Sequence, residues 1–207
     1  LVSNLALVMG VAGANPPPEI IVLAGIAGLI AGAFSMAVGE YISVQSQREL
    51  LDYQVAFQRK QLRDAPDQER RILTDIYVAR GLSEPGAVRV VEAAFDDGDR
   101  AVRLLIYEEV GLDERSIGSP ITAGIGSFLA FTLGAFIPLL PYLIASGSPA
   151  FYASLLASLG ALALLGTGIA VLTRRPVWYG ASRQVLLGGA AAAVTYAVGT
   201  LIGVSVA

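Results

Sequence analysis

Long apolar segments separated by short polar ones make up most of this 207-residue chain. Two stretches, 116–173 and 184–207, contain no Asp, Glu, Lys or Arg. A bilayer core about 30 Å thick is crossed by about 20 apolar residues in a helix, and a water-soluble domain cannot bury so much uncharged apolar sequence. The pattern therefore predicts an all-α integral membrane protein: a five-helix transmembrane bundle with a small helical lobe between the second and third transmembrane helices.

Clusters of proline, glycine and serine separate the apolar segments and set the helix boundaries. The five predicted helices are 1–14, 19–44, 120–145, 149–173 and 179–206. The first is too short to span a bilayer, so we interpret it as the end of a truncated transmembrane helix that begins upstream. The predicted domains are 1–44 with helices one and two, the lobe 45–115, and 116–207 with helices three to five.

Positive charge is confined to the second and fourth connections, because every Lys and Arg lies within 48–115 or 174–183. Connections rich in Lys and Arg stay on the cytoplasmic side of a membrane. The sequence thus predicts a multi-pass protein of the cell (cytoplasmic) membrane, with the lobe in the cytoplasm and the C-terminus outside.

Small residues and prolines mark two features within the apolar helices. The second and fifth helices each carry a Gly-xxx-Gly pair, Gly28–Gly32 and Gly199–Gly203. Such pairs let helices approach closely, and they are typical either of generic packing or of a homodimer seam. Pro138 and Pro141 are expected to interrupt the third helix and free backbone carbonyls, which protein or water must then satisfy.

The lobe is predicted to consist of amphipathic helices. The second transmembrane helix continues to about Asp64. Pro66 then opens a helix that Gly81 closes, and Ser83 can cap the next one. A last helix runs to Gly111. Because most acidic residues of the chain lie in this lobe, we interpret it as a region that gathers cations.

Composition excludes several kinds of chemistry. The chain has no Cys and no His, which rules out disulfides, thiolate or imidazole metal sites, and Ser-His-Asp or Cys-His catalysis. No nucleophile–base pair is evident, so we predict that the protein is not an enzyme. The net charge of −3 gives no reason to expect nucleic acid as a partner. A bound metal would need carboxylates, carbonyls, amides, Tyr or Met sulfur.

A thioether and a carboxylate share one face of the second helix. Met36 and Glu40 are four residues apart, and Ser43 follows one turn further on. This pairing suits a borderline ion such as Fe²⁺ better than Mg²⁺ or Ca²⁺, so the three residues form a candidate metal site. Alternatively, Glu40 sits at the cytoplasmic interface, about 30 Å along the helix from Ile20 at 1.5 Å per residue. Met36 would then be a packing residue of the core.

Four glutamines of the lobe fall on one helical stripe: Gln47, Gln54, Gln58 and Gln61. Such a stripe is typical of a solvated helix face, and it also fits a ligand face that keeps amide oxygens without charge. The carboxylates best placed to converge with it are Glu69, Glu108 and Glu109. We therefore treat these three as candidate metal ligands, and Gln58 and Gln61 as weaker ones.

Five segments have distinctive sequences: LVSNLALVMGVAGA at 1–14, AGLIAGAFSMAVGEYISVQSQREL at 27–50, RGLS at 80–83, EEVGLDE at 108–114 and SFLAFTLGAFIPLLPYL at 127–143. Together they resemble the vacuolar iron transporter family, in its bacterial branch, over nearly the whole chain. The resemblance implies a homodimer that exports Fe²⁺, and often Mn²⁺, from the cytoplasm in exchange for protons. The metal is then the transported substrate, and no cofactor is expected. The family's ion path lies between the subunits, and its cytoplasmic lobe captures metal with glutamates.

By position, Met36 matches the path methionine of the family, and Glu40 lies in the same signature segment. Glu69 and Glu109 match two of the lobe glutamates. The resemblance also implies an Asp in the first helix, at a position that falls upstream of Leu1.

The lobe departs from the family pattern at several positions. Three further lobe glutamates of the family appear here as Gln58, Gln61 and Ile72, and a family methionine pair falls on Leu105 and Ile106. An amide offers only a neutral oxygen to a cation, and isoleucine offers none. We therefore expect the lobe to capture metal weakly.

The sequence and the resemblance leave two candidate functions. The first is a proton-coupled exporter of Fe²⁺ and Mn²⁺ whose partners are the lipid bilayer, a second copy of the chain, divalent metal ions and protons. The second is a degenerate, non-transporting or regulatory membrane subunit, or a transporter of a different substrate, because carboxylates of the lobe are replaced.

Overall fold

The structure is a computed structural model that describes residues 1–111 and 118–206, and for residues 109–110 and 204–206 the backbone alone. The described residues form eight α-helices and one π-helical turn, and they contain no β-strand. The all-α class predicted from the sequence is confirmed. The predicted domain boundary between residues 115 and 116 lies outside the described residues.

Five helices come from the apolar segments: α1 (Val2–Gly13), α2 (Pro18–Asp64), α6 (Pro120–Ile144), α7 (Gly147–Leu172) and α8 (Val177–Val206). Between α2 and α6 lie α3 (Pro66–Ala79), α4 (Glu84–Phe95), α5 (Gly98–Leu105) and the π-helical turn Ile106–Val110. Four helices, α2, α6, α7 and α8, are long and apolar enough to cross a membrane. Helix α1 has 12 described residues, so a fifth crossing stays a prediction.

The chain forms two compact units. The membrane unit comprises residues 1–39 and 124–207, and the lobe unit comprises residues 40–123. Helix α2 runs without a break through Gly39 and Glu40, where one unit ends and the other begins. The core of the membrane unit is formed where α1 packs against α7 and α8, around Leu5, Val8 and Leu162.

Glycines bring the helices of the membrane unit into close contact. A Cβ atom added to Gly199 would overlap the carbonyl oxygen of Gly10, and one added to Gly203 would lie 2.8 Å from the Cα of Ala14. Both glycines of the pair on α8 therefore serve contact with α1, where the absence of a side chain lets the two backbones touch.

The Gly-xxx-Gly pair of α2 is also used within the chain. A Cβ on Gly28 would collide with the side chains of Asn4 and Leu7 on α1, and a Cβ on Gly32 would collide with the ring of Phe131 on α6. Of the two interpretations that the sequence left open, packing within one protomer accounts for both glycine pairs.

The prolines of α6 do not interrupt it, so that prediction is wrong. The helix continues through Pro138 and Pro141. Side chains of neighbouring helices reach the carbonyls of this segment: Ser154 Oγ donates to Pro138 O at 2.6 Å, and Asn4 Nδ2 donates to Ala135 O at 2.7 Å. These bonds tie α6 to α7 and to α1 beside its prolines.

In the lobe unit, α3, α4 and α5 pack around Leu73, Val91 and Leu105. The predicted helix boundaries agree with the structure. Helix α2 ends at Asp64 and α3 begins at Pro66. Ser83 occupies the N-cap position of α4, but its side chain makes no capping hydrogen bond. Gly81 after α3 has a φ of 97°, and Gly111 after the π-helical turn has a φ of 71°. Glycine is favoured at both positions because left-handed backbone is unfavourable for other residues.

Candidate functional site

The proposed path residues lie on one continuous helix. On α2, Glu40 follows Met36 by one turn, and Ser43 follows by nearly another. Met36 belongs to the membrane unit, while Glu40 and Ser43 belong to the lobe unit. The side chain of Met36 is 50% exposed, and those of Glu40 and Ser43 are exposed too. Met36 is therefore not a core residue of the protomer, unlike Met9, the other methionine, which is buried.

The opposite face of α2 is exposed as well and carries large apolar side chains. Phe34, Val38 and Ile42, each two residues from Met36 or Glu40, are all exposed. The thioether of Met36 and the carboxylate of Glu40 thus lie on the outside of a single protomer, on a helix whose membrane part is apolar. A carboxylate in apolar surroundings is unfavourable unless protein groups, ions or water meet it.

The glutamine stripe on α2 is not a uniformly solvated face. Gln47 is exposed, Gln54 and Gln61 are half-buried, and Gln58 is buried. Gln58 has only 3% of its surface exposed and lies one turn before Leu62, which packs against the core around Leu73. The stripe therefore turns inward toward the core of the lobe unit.

Glu69 is a buried carboxylate in the same unit. Its side chain is 3% exposed, and it lies on α3 one turn before the fully buried Leu73. Gln58 on α2 and Glu69 on α3 are thus both buried, and each lies one turn before a residue of the same apolar cluster. Ile72, which occupies a glutamate position of the family pattern, is half-buried. At that position the lobe has an apolar surface instead of an oxygen ligand.

Glu108 is held by Tyr77 of α3 and by Arg80, the C-cap residue of that helix. Its carboxylate is 4% exposed, accepts a 3.1 Å hydrogen bond at Oε1 from the hydroxyl of Tyr77, and forms an ion pair at Oε2 with Arg80. Burial raises the pKa of Tyr77 above 10.0, the hydrogen bond to Glu108 and the charge of Glu108 raise the pKa further, and the charge of Arg80 opposes them. A metal ion at Glu108 would have to compete with Arg80 for the carboxylate.

Arginines also form ion pairs with other carboxylates of the lobe unit. Arg70 lies 3.3 Å from both Asp67 and Glu92, and Arg59 lies 3.0 Å from Asp99. These exposed pairs contribute little to stability, but they compensate part of the negative charge. Within residues 1–111 and 118–206, no group of three or more carboxylates converges as a metal site. The side chain of Glu109, a predicted ligand, lies outside the described residues.

Sequence reasoning missed Tyr77 and Arg80 as partners of Glu108. The two lie three residues apart, at the end of α3 and at its C-cap, and hence share a face. Nothing in the sequence relates that face to a glutamate 31 residues beyond Tyr77. Asn4 and Ser154 were missed as well. A polar residue in an apolar helix is the signal that could have identified them, because such side chains bind between helices in membranes.

Comparison with known proteins identifies one matching family and several similar sequences. The family whose sequence model matches residues 1–200 is the VIT family. The vacuolar iron transporter of Toxoplasma gondii is 27% identical over 98% of this chain and 70% of its own length. That of Acanthamoeba castellanii is 35% identical over 64% of this chain and 50% of its own length. Vacuolar iron transporter 1 of Arabidopsis thaliana is 27% identical over 95% of this chain and 79% of its own length.

The long apolar helices define a multi-pass helical membrane protein. With a family match over residues 1–200, the chain belongs to the VIT family. The resemblance seen in the sequence is thereby confirmed, while the assignment to a bacterial branch stays a prediction. Membership also supports the prediction that the chain acts in the membrane without enzymatic chemistry.

Proposed function

We propose that this chain is a transporter that exports Fe²⁺, and also Mn²⁺, from the cytoplasm by proton antiport, with the metal as transported substrate. The observation that carries the proposal is the pair Met36 and Glu40, one turn apart on an apolar helix and outside the protomer core. The relatives named vacuolar iron transporters, which align over nearly the whole chain, support it.

The ion path in this proposal lies between two copies of the chain. A second protomer that covers α2 would shield Glu40 from lipid and bring two thioethers and two carboxylates together. Ions would gather at the lobe, pass Glu40 and Met36 with Ser43 as an additional oxygen donor, and leave on the outer side. Protons moving inward would titrate the carboxylates and release the metal from them.

Flux into proteoliposomes that contain the full-length protein tests this function. Met36→Leu removes the sulfur, and Glu40→Gln removes the charge. The chain offers matched controls in Met9→Leu, at a buried methionine of α1, and Glu19→Gln, at the start of α2. Loss of a ligand should lower Fe²⁺ and Mn²⁺ flux by about tenfold or more. Equal loss in the controls would contradict a path through Met36 and Glu40.

Proton coupling has its own measurement. In the same vesicles a pH-sensitive dye should report proton movement opposite to the metal, and an imposed pH gradient should accelerate metal flux. Both signals should disappear in Glu40→Gln and persist in Glu19→Gln. A metal flux that does not change when the pH gradient is imposed would rule out antiport.

The dimeric path can be tested by cross-linking, because these 207 residues contain no Cys. Met36→Cys should give a cross-linked dimer with a short bifunctional thiol reagent in membranes, since the two path faces would meet there. Met9→Cys, buried inside the protomer, should not. A monomeric product from both variants would contradict the proposed seam.

The proposed orientation places the lobe in the cytoplasm and the C-terminus outside. Ser148→Cys, in the first turn of α7, and Arg103→Cys, on the exposed surface of α5, report opposite sides in this topology. A membrane-impermeant thiol reagent applied to intact cells should label Ser148→Cys alone. Labelling of Arg103→Cys before permeabilisation would reverse the topology.

A non-transporting or regulatory subunit, or a transporter of another substrate, is the second candidate. It is favoured by the ion pair that occupies Glu108 and by the absence of a carboxylate trio among the described residues. Background flux of both metals in the unaltered protein, with correct folding, would support this candidate over export.

A further inference from the structure

A cavity of about 390 Å³ opens where α7 ends and α8 begins. Its polar wall consists of Thr173, Arg175, Tyr179 and Arg183, and we call these four residues the arginine pocket. The guanidinium of Arg183 lies 5.8 Å from the centre of the Tyr179 ring, a cation–π distance that orders the arginine.

The backbone holds Arg175 at the rim. Arg174 has a left-handed φ of 52°, which reverses the chain after α7. The amide of Arg175 then donates to Ala170 O at 2.8 Å. Arg174 does not line the cavity. The turn therefore separates two adjacent arginines, one in the pocket and one outside it.

Within the membrane unit, the positive charge of the pocket has almost no acidic counterpart. Residues 116–207 contain no Asp or Glu, and Glu19 is the one acid in the sequence of the membrane unit. The residue before it, Pro18, lines a different cavity together with Gly147, at the start of α7. Helix α7 has 26 residues, so about 39 Å at 1.5 Å per residue separates its two ends. Glu19 cannot neutralise the pocket.

The surroundings of the pocket have the character of a membrane interface. Trp178, the single Trp of the chain, is exposed next to Tyr179, and such rings collect at the level of lipid headgroups. Leu172 and Val171 are exposed large hydrophobics at the end of α7. A ligand bound here would contact the arginines of the pocket, and the exposed apolar side chains at the end of α7 would lie beside it.

We propose that the arginine pocket binds the phosphate of an anionic phospholipid headgroup. Two guanidinium groups can each donate paired hydrogen bonds to phosphate oxygens. Basic pockets between transmembrane helices are suited to anionic headgroups. The apolar surface beside the pocket favours a lipid over a free phosphate, because it can contact the acyl chains. None of the residues that line the pocket belongs to the proposed metal path.

The alternative is that the three arginines only orient the chain in the membrane. Orientation depends on the number of positive charges near a helix end and treats Arg174, Arg175 and Arg183 alike. A binding pocket distinguishes them. Arg174→Gln is therefore a matched control for Arg175→Gln and Arg183→Gln, since each variant removes one positive charge near the junction of α7 and α8.

The test uses the purified full chain in neutral detergent, titrated with phosphatidylglycerol or with phosphatidylcholine of the same acyl chains. Thermal stability and native mass spectrometry report binding. We expect preference for phosphatidylglycerol, with affinity about tenfold weaker in Arg175→Gln and in Arg183→Gln, as for loss of a charged hydrogen bond. Arg174→Gln should stay within about twofold, since it removes charge without a direct contact.

Three results would overturn the proposal. The first is equal binding of the two lipids, and the second is an equal loss in Arg174→Gln. The third is stabilisation by inorganic phosphate as large as that by phosphatidylglycerol, which would assign the pocket to a soluble anion. If a Gln variant does not fold, Arg175→Lys and Arg183→Lys replace it. They keep the charge but lose the paired donors, so unchanged lipid affinity in both would also overturn the proposal.

Discussion

The hydroxyl of Tyr77 donates a hydrogen bond of 3.1 Å to Oε1 of Glu108 and thereby ties α3 to the π-helical turn of the lobe unit. Arg80, the C-cap residue of α3, pairs with the other carboxylate oxygen. Glu108 is almost fully buried, so these two contacts compensate the loss of water around its charge. A predicted metal ligand is thus satisfied by protein groups.

Tyr77→Phe should destabilise the lobe unit by about 1–2 kcal/mol, because a hydrogen bond to a buried charged group is lost. Hydrogen exchange of the amides of α3 and of the π-helical turn, in the full chain, measures this. Tyr107→Phe is the matched control: its side chain is 57% exposed, and a change below about 0.5 kcal/mol is expected at an exposed site. Equal effects in the two variants would show that the Tyr77 bond is not stabilising.

Arg80→Gln removes the ion-pair partner of Glu108 and should destabilise the lobe unit by about 1–3 kcal/mol, the cost of leaving a buried group unsatisfied. The double variant Arg80→Gln with Glu108→Gln should recover much of this loss, because no buried charge then remains. The coupling energy from the double-mutant cycle, by the same hydrogen exchange, is the measured quantity. Additive effects would mean that the two residues do not interact.

Titration of Tyr77 gives a pH prediction. Its pKa in the folded protein is raised above 10.0, so the folded state retains the phenolic proton longer than the unfolded state does. The resulting stabilisation is complete below pH 10.0 and is lost as pH rises through the folded-state pKa. A difference titration of phenolate absorbance, wild type minus Tyr77→Phe, should have its midpoint above 10.0. A lower midpoint would contradict the burial and the bond to Glu108.

Gly199→Ala should destabilise the membrane unit by about 1–3 kcal/mol, since a methyl group there meets the backbone of Gly10 and forces α1 and α8 apart. Gly168→Ala on α7 is the control, because its added Cβ has open space and should be neutral or slightly stabilising. Thermal unfolding in detergent measures the difference. If Gly199→Ala instead changed only the oligomeric state, the glycine pair would belong to a seam between protomers.

The sequence allowed the helices to be predicted well where a strong physical rule applies. Apolar length identified α2, α6, α7 and α8 as spans, and Pro66 and Asp64 marked helix boundaries in the lobe. The continuity of α6 could not be predicted. Beside its prolines, a carbonyl of α6 accepts a 2.6 Å hydrogen bond from the hydroxyl of Ser154 on another helix, and local patterns carry no information about such a neighbour.

The candidate site was harder to predict than the fold. Helical spacing correctly aligned Met36 with Glu40, but only the structure shows that Met36 lies outside the protomer core. The same spacing placed Gln47 and Gln58 on one stripe without distinguishing the exposed residue from the buried one. Burial depends on which helices pack against a face, and that is decided by long-range contacts.

Restoring charge to the lobe should restore metal capture. The unaltered chain is expected to bind Mn²⁺ in the lobe with a Kd of about tens of micromolar or weaker, in the range of weak oxygen-ligand sites. The variant with Gln58→Glu, Gln61→Glu and Ile72→Glu should bind at least about tenfold more tightly, because carboxylate count tunes the affinity of oxygen sites. Calorimetry on the full chain measures both values.

The buried position of Gln58 makes this prediction sharper. At 3% exposure, a carboxylate there is desolvated, so Gln58→Glu should lower thermal stability in chelator, and Mn²⁺ should restore it. Gln47→Glu adds the same charge to an exposed position of the stripe and should change neither stability nor affinity appreciably. Nanomolar binding by the unaltered chain would show that the glutamines do not weaken the site. An equal gain from Gln47→Glu would show that general charge, and not a buried ligand set, attracts the metal.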